Sequence, residues 1–297
     1  MATDLHRALS EAISQATGED ARILERRPLG GGCINAAAVV ELADGRRFFT
    51  KSNESAPEYF FEREAQGLQA LADVGVLRVP GVISFGTVAG GTNQFLVLEM
   101  LEMGKKGANF SEEFGRRLAE HHRESTGERF GFQRDNFIGL TPQPNRWDDD
   151  WSEFWRRQRL AFQLDMARRK GLSDHELDRL GDRLLDRLDN FIAEPDEPPC
   201  LLHGDLWSGN YMVAEDGAPV LIDPAVYYGR READLAMTRL FGGFDAAFYD
   251  AYEEVWPLAD GAEERIEVYK LYHLLNHLNL FGGGYYASCL QVVKRLS

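Results

Sequence analysis

Near the N-terminus apolar and polar positions alternate or run in short blocks, a rhythm that predicts strands. Ile23 to Leu29 and Ala36 to Leu42 flank a loop, Gly30-Gly31-Gly32-Cys33-Ile34-Asn35. The Asp44-Gly45 turn leads into a third strand over Arg47 to Lys51, and Val79 to Phe85 and Phe95 to Met100 read as two more. Glu58 to Leu71 has helical spacing, and a short helical pattern lies within Met1 to Asp20. Beyond Leu101 the period lengthens. Ser111 is placed to cap a helix reaching about Glu124. Trp151, Phe154, Trp155 and Phe162 fall at i, i+3, i+4 and i+11, one face of a long helix. Ser173 begins another, to about Ile192, and the C-terminal stretch is mostly helical. The expected class is therefore α+β in two lobes: a small β-rich lobe with one main helix at 1–101, and a larger helical lobe at 102–297.

Composition narrows the function classes. A 44% apolar, 27% charged chain of 297 residues is ordinary for a globular protein. No apolar run approaches the length of a membrane span, and the first residues lack the layout of a secretion signal, so the expectation is cytoplasmic, with no membrane partner. Cys33, Cys200 and Cys289 are too scattered for a disulfide framework or a zinc site. A formal charge of −15 argues against nucleic acid as a partner, because phosphate backbones reward clustered Lys and Arg.

The strongest local signal is Leu201-Leu202-His203-Gly204-Asp205-Leu206-Trp207-Ser208-Gly209-Asn210. An apolar lead-in delivers His-x-Asp, with Asn210 five residues beyond Asp205, the spacing of a kinase catalytic loop. Two apolar runs around Glu215-Asp216-Gly217-Ala218 then predict a hairpin. Were Asp216-Gly217 a two-residue turn, opposed residues would have numbers summing to 433. Asn210 and Asp223 satisfy that sum, which would set an amide oxygen beside a carboxylate, a donor pair suited to Mg2+. Against this stands a reading of Asp205 and Asp223 as turn caps; the joint spacing favours catalysis. His203 is expected to brace the loop.

In the first lobe Lys51 shares a strand face with Phe49, and Glu64 lies on the apolar line Phe61, Glu64, Leu68, Leu71. A carboxylate on a buried stripe needs a cation, and Lys51 is the natural partner; such a pair orders nucleotide phosphates in kinases. Gly31 and Gly32 would let backbone amides approach those phosphates, although three consecutive glycines depart from Gly-x-Gly-x-x-Gly and a plain turn is an equal reading. Cys33 in that loop is a candidate for redox sensitivity. At the lobe junction the backbone of Glu99 to Leu101 is placed to meet adenine.

These segments together resemble the fructosamine kinase (ketosamine-3-kinase) family, itself related to aminoglycoside phosphotransferases. The likeness runs through residues 30–34, 61–65, 135–139, 203–210, 222–229 and 275–282, nearly the whole chain. Trp207, the run Tyr227-Tyr228-Gly229-Arg230-Arg231-Glu232-Ala233-Asp234 and Asn276-His277-Leu278-Asn279 point to this family within the superfamily. The resemblance implies a protein-kinase-like fold, ATP and Mg2+ as cofactors, and phosphorylation of the 3-hydroxyl of a small-molecule or protein-linked ketosamine, leading to deglycation. It implies Asp205 as the proton-handling residue, Asn210 and Asp223 as metal ligands, and Lys51 with Glu64 at the phosphates. It implies Trp207 and His277 at the substrate, each with a plain packing alternative, and Asp234 as a structural support of the catalytic loop. A phosphotransferase for an aminoglycoside, choline or an amino alcohol is the rival enzyme, and a pseudokinase scaffold is the rival from another class.

Overall fold

Alternating residues near the N-terminus build one antiparallel sheet in the order β1 (Ile23–Leu29), β2 (Ala36–Leu42), β3 (Arg47–Asn53), β5 (Gln94–Glu99), β4 (Val82–Thr87). The structure, a computed structural model, describes residues 2–30, 34–193 and 195–296. Gly31, Gly32 and Cys33 lie outside the described residues. On one face of the sheet Val40, Leu42, Phe48, Phe95 and Val97 pack under α1 (Ala2–Thr17), which contributes Leu5, Leu9 and Ile13 at a spacing of four. The pleat sends Lys51, opposed to Ala37 on β2 and Leu96 on β5, to the other face. There α2 (Phe60–Val74) buries Phe60, Phe61, Ala65, Leu68 and Leu71 and ends on Gly75 in the left-handed region (φ 74°). The expectation of one main helix is corrected: α1, at 16 residues, is as substantial as α2, at 15. It is amphipathic and covers a whole sheet face.

The chain divides into two units, Met1–Gly107 with Met212–Asp223, and Ala108–Tyr211 with Pro224–Ser297. The boundary expected after residue 101 thus falls after Gly107, and the hairpin expected in the second lobe packs with the first. Apolar packing explains this: Leu101 clusters with Met212, Ala214 and Val220. Gly104 N–H donates to Val213 O at 2.9 Å, and Leu221 N–H donates to Arg78 O at 2.9 Å. A β-carbon on Gly104 would sit 2.0 Å from Ala214 O, so only glycine permits this approach.

The second unit is helical apart from short strand pairs. α3 (Phe110–Glu124) starts one residue before the expected cap; Asn109 occupies the N-cap without a side-chain bond. Ser111 instead donates to Asp245, the residue that caps the helix Ala246–Val255. The helix expected from Ser173 starts at His175, capped by Asp174, and ends at Asp186 before a short turn of helix at Asp189–Ile192. The helix predicted from Trp151 is α4 (Trp151–Trp155) and α5 (Phe162–Arg169), joined by a π-helical segment, Arg156–Ala161. Widening to i→i+5 rotates the later residues, so Gln163, Leu164 and Ala167 are buried where 3.6 periodicity points to Phe162, which is only half-buried. The 20-residue helix Ala262–Phe281 is buried on nearly every side, and no described helix is long and apolar enough to cross a membrane.

Two core histidines carry a pH signature. Burial and a neighbouring imidazole depress His121 and His273 to about 3, so both are neutral in the folded state at pH 7. Unfolding returns them to a pKa near 6.5, so the unfolded chain binds more protons and stability is lost as pH falls below that value. Between pH 7.5 and 5.5 each should cost about 1 kcal/mol. Urea denaturation across that window should show a slope that His273→Phe reduces by about half a proton on average. An unchanged slope would mean that His273 already exchanges its proton in the native state.

Candidate active site

In the first unit three predicted residues converge. Lys51 Nζ donates to Glu64 Oε1 at 2.6 Å and also pairs with the Asp223 carboxylate. The Lys51 side chain is 7% exposed and that of Glu64 10%, whereas Asp223 is 47% exposed. Burial pulls the Lys51 ammonium down, but Asp223 and Glu64 outweigh it and the net direction is up, so Lys51 stays charged. Burial raises Glu64, with Lys51 opposing and Asp223 adding to the rise. One ammonium therefore serves two carboxylates, and the group carries excess negative charge. Glu62, off the apolar line, pairs with Arg63 near the surface. Asp223 adopts a left-handed conformation (φ 56°), one of two described non-glycine residues to do so.

The hairpin that carries Asp223 differs in register from the expectation. Gly217 N–H donates to Ala214 O at 2.8 Å and Ala214 N–H to Ala218 O at 2.9 Å, with Gly217 at φ 85°. This is a type I turn followed by a glycine bulge, so opposed residues sum to 432 and the inferred Asn210–Asp223 pairing is not the register set at the turn.

In the second unit the strand Cys200–Leu202, paired with Tyr227–Gly229, delivers the loop bearing Asp205. Asn210 Nδ2 donates to Asp205 O at 2.8 Å and to Asp205 Oδ2 at 3.1 Å. The nitrogen end of the amide is thus committed to Asp205. Asp205 N–H donates to His203 Nδ1 at 3.2 Å, so His203 braces the loop and carries its proton on Nε2. Asp234 Oδ2 accepts from His203 N–H at 2.7 Å, and Oδ1 from Gly204 N–H at 2.8 Å. Burial would raise Asp234, but the hydrogen bond and charge of His122, with the loop amides, hold its carboxyl below the usual range. Gly204 sits at φ 83°, and a β-carbon there would lie 2.0 Å from Ala225 O.

Trp207, 38% exposed, folds back over its own turn; a β-carbon on Gly209 would be 2.4 Å from the indole. Its ring meets Phe241, which meets His277, so the two expected substrate residues are joined through a third. His277 is half-buried, and its Nδ1 bonds to His273 O at 2.8 Å. Glu99 is not open as expected: its N–H donates to Gly81 O at 2.8 Å, and its carboxylate accepts from Gly81 N–H and Arg78. Leu101 is buried.

Several contributors escaped the sequence reading. His122 donates from Nε2 to Asp234 at 3.2 Å and meets Tyr252 Oη at 2.9 Å; its sign was a histidine on the buried line of Phe114 and Leu118 in α3. Arg159, fully buried in the π segment, lies 4.0 Å from the Tyr227 ring and donates to Asn145 Oδ1 at 2.8 Å. Asn136 and Gln143 continue this network to the carbonyls of Val226 and Ala225, fixing the chain just beyond Asp223. No periodic signal marks Arg159.

Comparisons with known proteins agree on one family. The fructosamine kinase family model matches residues 5–297. A probable ketoamine kinase of Synechocystis is 43% identical over 97% of this chain and 95% of its own. The chloroplastic protein-ribulosamine 3-kinase of Arabidopsis thaliana is 40% identical over 93% of this chain and 83% of its own. The crystal structure of a provisionally named fructosamine-3-kinase from Thermobifida fusca aligns with a TM-score of 0.86 at 34% identity, covering 97% of this chain and 98% of that one. The fold is accordingly the α+β, protein-kinase-like one that the motifs implied, and the chain belongs to the fructosamine kinase family.

Proposed function

We propose that the chain transfers the γ-phosphoryl group of ATP to the 3-hydroxyl of a ketosamine, with Mg2+ as the second cofactor; the names of its relatives, a ketoamine kinase and a protein-ribulosamine 3-kinase, support the substrate class. The bond between the γ-phosphorus and the β,γ-bridging oxygen breaks, one forms to the sugar oxygen, ADP leaves, and the hydroxyl proton passes to Asp205. The observation that carries this reading is the Lys51 ammonium buried between Glu64 and the half-exposed Asp223. A purely structural ion pair needs one carboxylate; a second, open to solvent, suits a site built for a metal ion and phosphates.

Hard oxygens are the right donors for magnesium, which takes one or two from protein and completes its shell with phosphate and water. The residues that would hold it are Asn210, through Oδ1, and Asp223. Bound there, the ion would neutralise charge on the phosphates. Lys51, positioned by Glu64, would hold those phosphates. The backbone at Leu101 remains the adenine contact we favour, and Glu99 would contribute through its carbonyl alone. Trp207 and His277 would bound the sugar. A cytoplasmic setting, where ATP is plentiful, goes with this reading.

ADP release against fructosamine, ribulosamine and erythrulosamine adducts, with and without magnesium, tests it. Turnover is expected on at least one adduct and only with the metal. Activity confined to an aminoglycoside or choline would overturn the substrate class.

A further inference from the structure

Arg26 lies on β1 opposite Val40, and the pleat turns both toward the sheet face that α1 covers, away from Lys51. Its guanidinium is poorly matched there. Nη2 donates to Ser52 Oγ at 3.4 Å, Nε is buried without a partner, and no carboxylate among the described residues pairs with it. Burial pulls its pKa down, and no neighbouring charge opposes that pull. A cation that has given up water without gaining a full set of acceptors is costly to keep.

Arg26 also lines a cavity of about 410 Å³, with further walls from Leu5, Ile34, Ser52, Glu54 and Asn93, each in the first unit. Asn93 Oδ1 is a second buried atom without a partner. Glu54 is exposed and does not pair with Arg26. Ser52 follows Lys51 on β3 and takes the opposite face. The cavity therefore backs onto the strand that carries Lys51 rather than onto the side assigned to phosphates.

We propose that this cavity binds a free aliphatic α-amino acid. The carboxylate would take the bonds that Arg26 lacks, for which a planar guanidinium is well shaped. The ammonium would answer Asn93 Oδ1 and the Glu54 carboxylate, and the side chain would rest on Leu5 and Ile34. Charge selects this class. A plain anion would give Arg26 a partner but face the Glu54 carboxylate uncompensated, and a plain amine would leave Arg26 as it is. A molecule that carries both signs satisfies both. The volume falls within the roughly 300–1,000 Å³ usual for small-ligand sites. Recognition here is independent of the reaction proposed above, since none of these side chains is assigned to nucleotide or ketosamine.

Calorimetric titration of the whole chain with L-leucine tests the proposal. One site is expected, with Kd of about 1 mM or tighter. 4-Methylpentanoate, which lacks the ammonium, and 3-methylbutylamine, which lacks the carboxylate, should each bind at least about tenfold more weakly. Glycine, without the side chain, should also bind more weakly. Arg26→Gln and Glu54→Gln should each weaken leucine binding at least about fivefold, and Arg26→Lys less than Arg26→Gln. Urea midpoints check that each variant is folded, and Glu54→Gln, at an exposed position, keeps the test decisive if Arg26→Gln does not fold. No binding at about 10 mM leucine would overturn the proposal. So would binding unchanged in Glu54→Gln or in folded Arg26→Gln. Equal binding of 4-methylpentanoate, glycine or orthophosphate would overturn it as well, because the ammonium or the side chain would then play no part in recognition.

Discussion

Asp205→Asn is expected to lower kcat by about two to four orders of magnitude while ATP affinity stays within a few-fold. The substitution is close to isosteric, and the loop is held by other bonds. Asp234 fixes the amides of His203 and Gly204, and Asp205 O still accepts from Asn210. What disappears is a negative charge able to orient the attacking hydroxyl and take its proton as the phosphoryl group is transferred. An amide cannot accept that proton. Nucleotide binding, proposed for Lys51 as positioned by Glu64, should be nearly untouched. Single-turnover phosphoryl transfer, with ATP binding measured by calorimetry, separates the two effects. A rate within tenfold of wild type would remove Asp205 from the chemistry, and a wild type without turnover would favour the scaffold reading.

Much of this was legible in the chain because it depends on local period. β1 and β2 fall where alternation places them, and Glu64 is buried on the line of Phe61, Leu68 and Leu71 because one helix face is set by spacing alone. Errors arose where geometry depends on a single added residue. Glu215-Asp216-Gly217 supports either a two-residue turn or a type I turn with a glycine bulge, and the second shifts the register by one. The π segment at Arg156–Ala161 does the same to the face of a helix. Other features depend on contacts distant in sequence, which no window reveals. α1 is held by a sheet formed after it, the hairpin joins the first unit through Leu101 and Gly104, and His122 acquires its role from Asp234, 112 residues away.

That last contact leads to the largest expected loss of stability. Asp234 is 1% exposed and accepts from the amides of His203 and Gly204 and from His122. Asp234→Ala would strand two buried N–H donors and an imidazole, each too deep for water to replace the carboxylate. The expected cost is about 3–5 kcal/mol, read as a lowered urea midpoint at pH 7. Asp234→Asn should recover little: an amide oxygen can satisfy one loop N–H, but the amide nitrogen would turn a donor toward the other. His122→Ala should cost less alone, and the double variant should cost at least about 1 kcal/mol less than the sum, because either change breaks the same bond. Additive losses would mean that His122 and Asp234 act independently. A loss under about 1 kcal/mol for Asp234→Ala would show that the loop holds its shape without the clamp, and the preorganisation of Asp205 would then have to come from its other contacts, Asn210 and His203 among them.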